Sequence, residues 1–314
     1  MTVGDFTSVI NAITLLSDNL LRYSFILTEF GSHAMFVGDY WEVMSLEPKL
    51  YNDTSNIKLS EVKVNSIKLE HVYYSYIDDP HVLKDVSFSV NVGEKIALVG
   101  QNGAGKTTLI RLLEGLYKSQ RGKVLINNTD ILEYNTRDYY SQIAYVDQNY
   151  HVYALPLKEN LNMQNGMTDV DDATVQVLLN KVGMGKDLFD LDKGMETPLS
   201  VEFDEGGIEL SGGQEQKIAI VRALVKKAQI LFMDEPSSAL DPYSEEKIYE
   251  LIEELEKDKI VFVVSHRLSC VKKMDKILYM EDGFIKEQGT HDELMALKGG
   301  YAAAFNLQAE RYRM

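Results

Sequence analysis

Lys95-Ile96-Ala97-Leu98-Val99-Gly100-Gln101-Asn102-Gly103-Ala104-Gly105-Lys106-Thr107-Thr108-Leu109-Ile110-Arg111-Leu112-Leu113-Glu114 reads as strand, loop and helix in that order. Residues 95–99 are a short, nearly continuous apolar run, the pattern of a strand buried on both faces. From Thr108 the apolar residues fall at helical spacing until Gly115. The loop between them, 100–107, fits G-x-x-x-x-G-K-[ST] at every defined position. So short a pattern also arises by chance, or as a glycine-rich turn with no ligand, so its flanks decide. Glycines let successive N–H groups curl inward around anionic oxygens. The helix N-terminus aims its positive dipole at the same point. Lys106 then reaches terminal phosphates, and the Thr107 hydroxyl is a ligand for Mg²⁺. Gly100, Gln101, Asn102, Gly103, Ala104, Gly105, Lys106, Thr107 and Thr108 form the candidate phosphate-binding set.

A second apolar run, 230–233, leads into Asp234-Glu235. Two carboxylates directly after such a run mark the C-terminal edge of a buried parallel strand, where α/β sheets place ligands. Alone, such a pair is an ordinary solvated strand end. Beside a phosphate loop it gains roles: Asp234 to hold Mg²⁺ and Glu235 to polarise an attacking water.

The whole chain has 314 residues, room for about two domains at roughly 150 each. Against 48 acidic side chains it sets 32 basic ones, a formal charge of −16. That balance lacks the basic footprint that nucleic acid requires, and no basic patch would hold the chain on anionic lipid. Cys270 is the single cysteine, which excludes an intrachain disulfide and cysteine-based zinc or iron–sulfur centres.

Residues 6–28 contain no glycine or proline and are rich in apolar side chains, which predicts a helix. Asp18 and Arg22 stand i,i+4 on it, and its longest charge-free run is only 12 residues. A bilayer span needs about 20 predominantly apolar residues, so hydropathy alone points instead to an amphipathic helix on a protein surface. Ser45-Leu46-Glu47-Pro48 ends the helical pattern, and 51–60 reads as a polar linker.

Leu210-Ser211-Gly212-Gly213-Gln214 precedes Asp234 by about two dozen residues and opens a helix expected over 215–226. This segment resembles the signature motif of the ATP-binding cassette (ABC) family, and other positions agree with that resemblance. Gln148 resembles the Q-loop glutamine, which touches Mg²⁺ or the lytic water. Ser238-Ala239-Leu240-Asp241 resembles the D-loop, and His266, after the apolar run 260–264, the switch histidine at the γ-phosphate. Tyr76 resembles the aromatic that stacks on adenine, with Tyr74 on the same strand face as the alternative. The resemblance implies that ATP and Mg²⁺ are bound and ATP is hydrolysed. It implies that Glu235, His266, Lys106 and Gln148 are catalytic, and that Thr107, Gln148 and Asp234 hold the metal. It also implies a homodimer or heterodimer through the nucleotide-binding domain, in which Ser211, Gly212, Gly213 and Gln214 cover the partner's ATP.

The likeness spans about 66–310 and reaches exporter-type cassettes in particular. Val201-Glu202-Phe203-Asp204-Glu205-Gly206-Gly207 is similar to their loop against the membrane domain, but has Asp204 where glycine is usual and Gly206 where a polar residue is usual. Gly289-Thr290-His291-Asp292-Glu293-Leu294 and Gly299-Gly300-Tyr301 also resemble exporter cassettes. Val3-Gly4-Asp5-Phe6 and the helix after it resemble an exporter's last membrane helix. The expected organisation is therefore a membrane-domain end at 1–60, truncated from helices upstream, and an ABC nucleotide-binding domain at 61–314. A membrane-spanning domain or subunit is the implied partner, with the cassette on the cytoplasmic face of the cell membrane.

The expected fold is α/β. A P-loop NTPase mixed sheet core carries an antiparallel β-subdomain and a helical signature subdomain, preceded by an N-terminal helix. Strands are expected at 67–76, 86–92, 96–99, 123–126, 143–146, 230–233, 260–264, 277–280 and 284–287. Helices should follow the loop at 107, fill 157–192 and run over 244–257. A soluble, non-transport ABC ATPase and a hydrolysis-dead regulatory cassette are the alternatives. The acidic charge and the single cassette weigh against the first, and the intact Lys106, Asp234, Glu235 and His266 against the second. Nothing in a kinase or GTPase accounts for 210–214.

Overall fold

The computed structural model describes residues 2–46, 52–76, 82–163, 171–185 and 193–311. The chain divides into two compact units, Met1–Lys49 and Leu50–Met314. The first is one helix, Val3–Met44, opened by a capping box in which Thr2 and Asp5 satisfy each other's backbone N–H. It runs through Gly31 and Gly38, where a side chain would meet only open space. Its apolar residues do not gather on one stripe and none of its residues is buried, so the amphipathic expectation is not met. No described helix is long and apolar enough to cross a membrane.

The second unit holds two sheets. Strands β1 (Ser66–Tyr74), β2 (Leu83–Asn91), β4 (Arg121–Ile126) and β5 (Thr129–Asp130) form an antiparallel sheet in the order β2-β1-β4-β5. Strands β3 (Lys95–Gly100), β6 (Ile143–Val146), β7 (Ile230–Asp234), β8 (Ile260–Val264), β9 (Lys276–Glu281) and β10 (Phe284–Gly289) form the other, ordered β10-β9-β3-β8-β7-β6. The five strands from β9 to β6 are parallel, and β10 is an antiparallel edge. This is the expected antiparallel subsheet beside a parallel core.

The central strands are buried on both faces, and successive side chains enter different cores. Ala97, Val99, Leu231, Met233, Val261 and Val263 pack with the helices of the signature region. Ile96, Leu98, Ile230, Phe232, Phe262 and Val264 pack with the antiparallel sheet and the helix Lys106–Leu113. The loops at the C-terminal ends of β3, β7 and β8 are therefore anchored from two sides.

Element ends differ from expectation where local chemistry intervenes. β4 begins two residues early because Gly122, with φ 80°, passes so close to β1 that a Cβ would lie 2.3 Å from the Glu70 and His71 carbonyl oxygens. The signature helix starts at Gly212, not 215, because Ser211 caps it in a box with Gln214. The next long helix, Pro242–Glu254, starts early because the Asp241 carboxylate caps it and proline suits its first turn. The expected helical block at 157–192 contains Leu157–Asn162 and Asp172–Lys181, while 164–170 and 186–192 lie outside the described residues. The helices Thr136–Ser141, Leu268–Val271, His291–Leu297 and Gly300–Arg311 were not expected. Residues 52–60, expected as a linker, are bonded along their length. Asn52 Nδ2 donates to the Leu132 carbonyl (3.1 Å), Ser55 Oγ to that of Glu133 (2.6 Å) and Ser60 N–H to Asp138 Oδ2 (2.9 Å).

Candidate active site

The loop 100–107 depends on glycine at two positions. At Gly100 a Cβ would stand 2.1 Å from the Met280 carbonyl oxygen, and at Gly105 (φ 96°) it would stand 2.7 Å from Leu83 Cδ2. Gly105 passes straight into the helix Lys106–Leu113. Lys106 Nζ folds back over the loop and donates to the Gly100 and Gln101 carbonyls, both at 2.9 Å. Burial lowers its pKa, although Glu235 and Asp234 pull the other way. A buried cationic head over a glycine loop that opens a helix suits a polyanion.

A cavity of about 730 Å³ opens on this loop. Asn102, Gly103, Gly105, Lys106, Thr107 and Thr108 form one wall, and Gln148, Glu235 and His266 face them. Thr107 Oγ1 donates to Asp234 Oδ2 at 3.3 Å, so hydroxyl and carboxylate converge beneath the cavity. Asp234 is 3% exposed, and burial, then the neighbouring Glu235 charge, push its pKa up. A divalent cation beside Thr107 would relieve that penalty, so the residues present fit Mg²⁺.

Glu235 is the centre of the opposite wall. Gln148 Nε2 donates to one carboxylate oxygen at 3.3 Å, and His266 Nε2 lies 2.6 Å from the other. Burial, then the Lys106 ammonium, hold the His266 imidazole below its usual pKa despite Glu235. The ring nitrogen and the carboxylate oxygen are within hydrogen-bond distance. The Glu235 backbone sits at φ 50°, in the left-handed region that costs a non-glycine residue about 1 kcal/mol or more. Its N–H donates to the Val264 carbonyl, and its own carbonyl accepts from Ser238 N–H and from Gln216 Nε2.

The expected aromatic lies at the mouth. Tyr76 lines the cavity and its hydroxyl is 3.0 Å from Thr108 Oγ1. The Tyr74 ring is instead stacked on Tyr117, with centroids 5.1 Å apart. Ser211, Gly212, Gly213 and Gln214 stand apart from this group: none lines the cavity. They are tied to the Q-loop segment by Tyr150, whose hydroxyl donates to the Gly212 carbonyl at 2.9 Å.

Gln216, one turn into that helix, carried no motif signal. Its amide donates to the Glu235 carbonyl and to Ser238 Oγ, both at 3.1 Å, and accepts from Ala239 N–H at 3.0 Å. It thereby fastens the segment 238–241 to the signature helix. Asp204 and Gly206, the two positions that depart from the exporter pattern, contact each other directly. Asp204 Oδ1 accepts from Gly206 N–H at 2.8 Å, and Lys193 Nζ reaches Asp204 Oδ2 at 3.1 Å. A Cβ at Gly206 would lie 2.7 Å from that Nζ.

A partly buried charge cluster includes Asp147, the residue before Gln148. Arg111 joins Glu114 (3.1 Å) to Asp147 (3.3 Å), and Glu114 Oε1 is buried with no hydrogen-bond partner. Burial pushes Glu114 up from 4.5 to about 7, Arg111 only partly offsetting it. The fold thus binds this proton more tightly than the unfolded chain does. The resulting stabilisation is complete below about pH 4.5 and is lost as pH rises through about 7. Glu114→Gln should therefore raise the melting temperature at pH 8, by up to about 3 kcal/mol of stability, and change it much less at pH 5. Melting curves at both pH values check this. An equal shift at the two would show that ionisation of Glu114 is not the cause.

The chain matches the family model described as ABC transporter over residues 83–238. It is 33% identical over 309 residues to an ATP-dependent lipid A-core flippase of Photobacterium profundum, covering 98% of this chain and 52% of that protein. It is also 33% identical over 312 residues to a putative multidrug export ATP-binding/permease protein of Bacillus subtilis, again covering 98% and 52%. Among solved structures, a bacterial Atm1-family ABC exporter with ATP bound superposes with a TM-score of 0.78 at 28% identity, over 88% of this chain and 47% of that one. The chain spans about half the length of the curated relatives it matches. With the loop 100–107, the Asp234-Glu235 strand end and the helix opened by Ser211 all in place, the chain belongs to the ABC transporter family and carries its exporter-type ATPase domain.

Proposed function

We propose that the chain is the ATP-hydrolysing motor of an exporter and works as a head-to-tail pair, homodimeric or heterodimeric, on the cytoplasmic face of a membrane. One observation carries the paired state. Ser211–Gln214 present a capped helix N-terminus, yet lie outside the cavity lined by the phosphate loop of the same protomer. A second copy can bring its own Ser211 helix over that cavity.

ATP stacks its base at Tyr76 and lays its phosphates in 100–108. Thr107, Asp234 and Gln148 would hold Mg²⁺, which would supply charge neutralisation to the phosphates. Glu235 accepts a proton from the attacking water and aims it in line with the γ-phosphorus. Lys106 and His266 hold the charge of the transferring group. Loss of the γ-phosphate releases the pair, and Gln148 and the loop 204–207 pass the change to the membrane domain. Residues 1–60 serve as the end of that domain and its link to the nucleotide-binding domain at 61–314.

ATP turnover per protomer, measured across a dilution series, should rise with protein concentration and level off. A rate per protomer that stays flat down to nanomolar protein would overturn the paired mechanism.

A further inference from the structure

Gln308 stands on Gly300–Arg311, the last described helix, outside every motif discussed above. Its side-chain amide spans the turn that carries His266. Nε2 donates to the His266 carbonyl at 2.6 Å, and Oε1 accepts from the Leu268 N–H at 3.0 Å. Both ends of one amide are thus spent on main-chain groups two residues apart, on either side of Arg267. A primary amide suits this role because it offers a donor and an acceptor in one plane.

The opposite side of the same turn is held differently. Ser265 Oγ lies 3.1 Å from the buried Tyr249 hydroxyl and accepts from the Arg267 N–H at 3.0 Å. Arg267 pairs with Glu245, which also accepts from Ser237 Oγ. The turn is therefore gripped between Pro242–Glu254 on one side and Gly300–Arg311 on the other.

The helix bearing Gln308 is itself firmly seated. Glu287, on β10, accepts from the N–H groups of Gly300 and Tyr301 at its start. Tyr301 is fully buried, and its hydroxyl pairs with His291 Nδ1 at 2.8 Å. Gly299 and Gly300 permit this seating: a Cβ would lie 2.2 Å from Glu287 Oε1 at the first and 2.7 Å from the Tyr279 ring at the second. Gln308 follows Tyr301 by seven residues, about two turns, and so projects from the same face.

We propose that Gln308 is a positioning residue for His266. It fixes the main chain of the turn so that the imidazole meets Glu235 and faces Lys106 across the cavity. The inference rests on the ATPase reading above, and its test separates the two. Gln308→Leu keeps the volume and removes both hydrogen bonds, whereas Gln308→Glu keeps the acceptor and removes the donor. Steady-state turnover of the full chain should fall about tenfold in Gln308→Leu, with KM for ATP within about twofold, because geometry and not affinity is lost. Gln308→Glu should fall between that variant and the unsubstituted chain.

The decisive comparison is made in a His266→Ala background, by single-turnover assay so that slow rates are resolved. There Gln308→Leu should cost nothing further, since the group it positions is gone. Melting curves establish that each variant folds, and Gln308→Glu carries the same comparison should Gln308→Leu fail to fold. Turnover of Gln308→Leu within twofold of the unsubstituted chain overturns the proposal, as does an equal loss in the presence and absence of His266. No turnover in the unsubstituted chain overturns the ATPase reading, and this inference with it.

Discussion

Lys106→Ala is expected to raise the dissociation constant for ATP at least 100-fold, about 2.7 kcal/mol. Lys106 is 6% exposed, and its ammonium lies against the loop carbonyls at the cavity. Alanine removes that charge and also takes a donor from the Gly100 and Gln101 carbonyls, the latter keeping the Ala104 N–H. Loss of the ammonium removes the charge-assisted attraction that a triphosphate would find there. Lys106→Arg should rescue little, because the space between two carbonyls at 2.9 Å suits a compact ammonium and not a planar fork. Equilibrium binding of a fluorescent ATP analogue provides the measurement, and an affinity within threefold of the unsubstituted chain would remove Lys106 from nucleotide recognition.

Glu235→Gln should lower turnover by about 10³-fold while leaving ATP affinity intact or tighter. Glutamine has the same shape and keeps one oxygen for His266, but it is not a base. Gln148 donates to one oxygen of the carboxylate and His266 lies against the other, so the carboxylate is held at both ends. If hydrolysis is what releases the pair, the variant should elute as a dimer when ATP and Mg²⁺ are present, and as the unsubstituted chain does when they are absent. Size-exclusion chromatography with a parallel phosphate-release assay tests both halves. Ordinary turnover in this variant would take Glu235 out of the chemistry.

These two residues are legible in the sequence because a loop motif and a strand end announce them locally. The sheet was legible for a related reason: runs such as 95–99, 230–233 and 260–264 are apolar at every or nearly every position, which only a doubly covered strand requires. Gln216 and Gln308 were not legible. Each is a lone amide on a helix whose partner is a main-chain group 19 to 42 residues distant along the chain. No spacing rule encodes such a contact, since the backbone partner can be any residue type. Arg222 escaped for the same reason. It is nearly buried, and it donates to the Asn160 and His151 carbonyls from a helix that reads as ordinary amphipathic sequence. The end of the N-terminal helix was legible too: Ser45-Leu46-Glu47-Pro48 stops the helical pattern and the helix ends at Met44, running through Gly31 and Gly38, where a side chain would meet open space.

The left-handed backbone at 235 sets folding against chemistry at one position. Glycine or asparagine would relax that φ, and selection for durability alone would drift toward them. Neither brings a carboxylate, so a lineage that gave up turnover would be free to take the more comfortable residue. If Glu235 is the base proposed above, loss of the motor's job should be written at this position first.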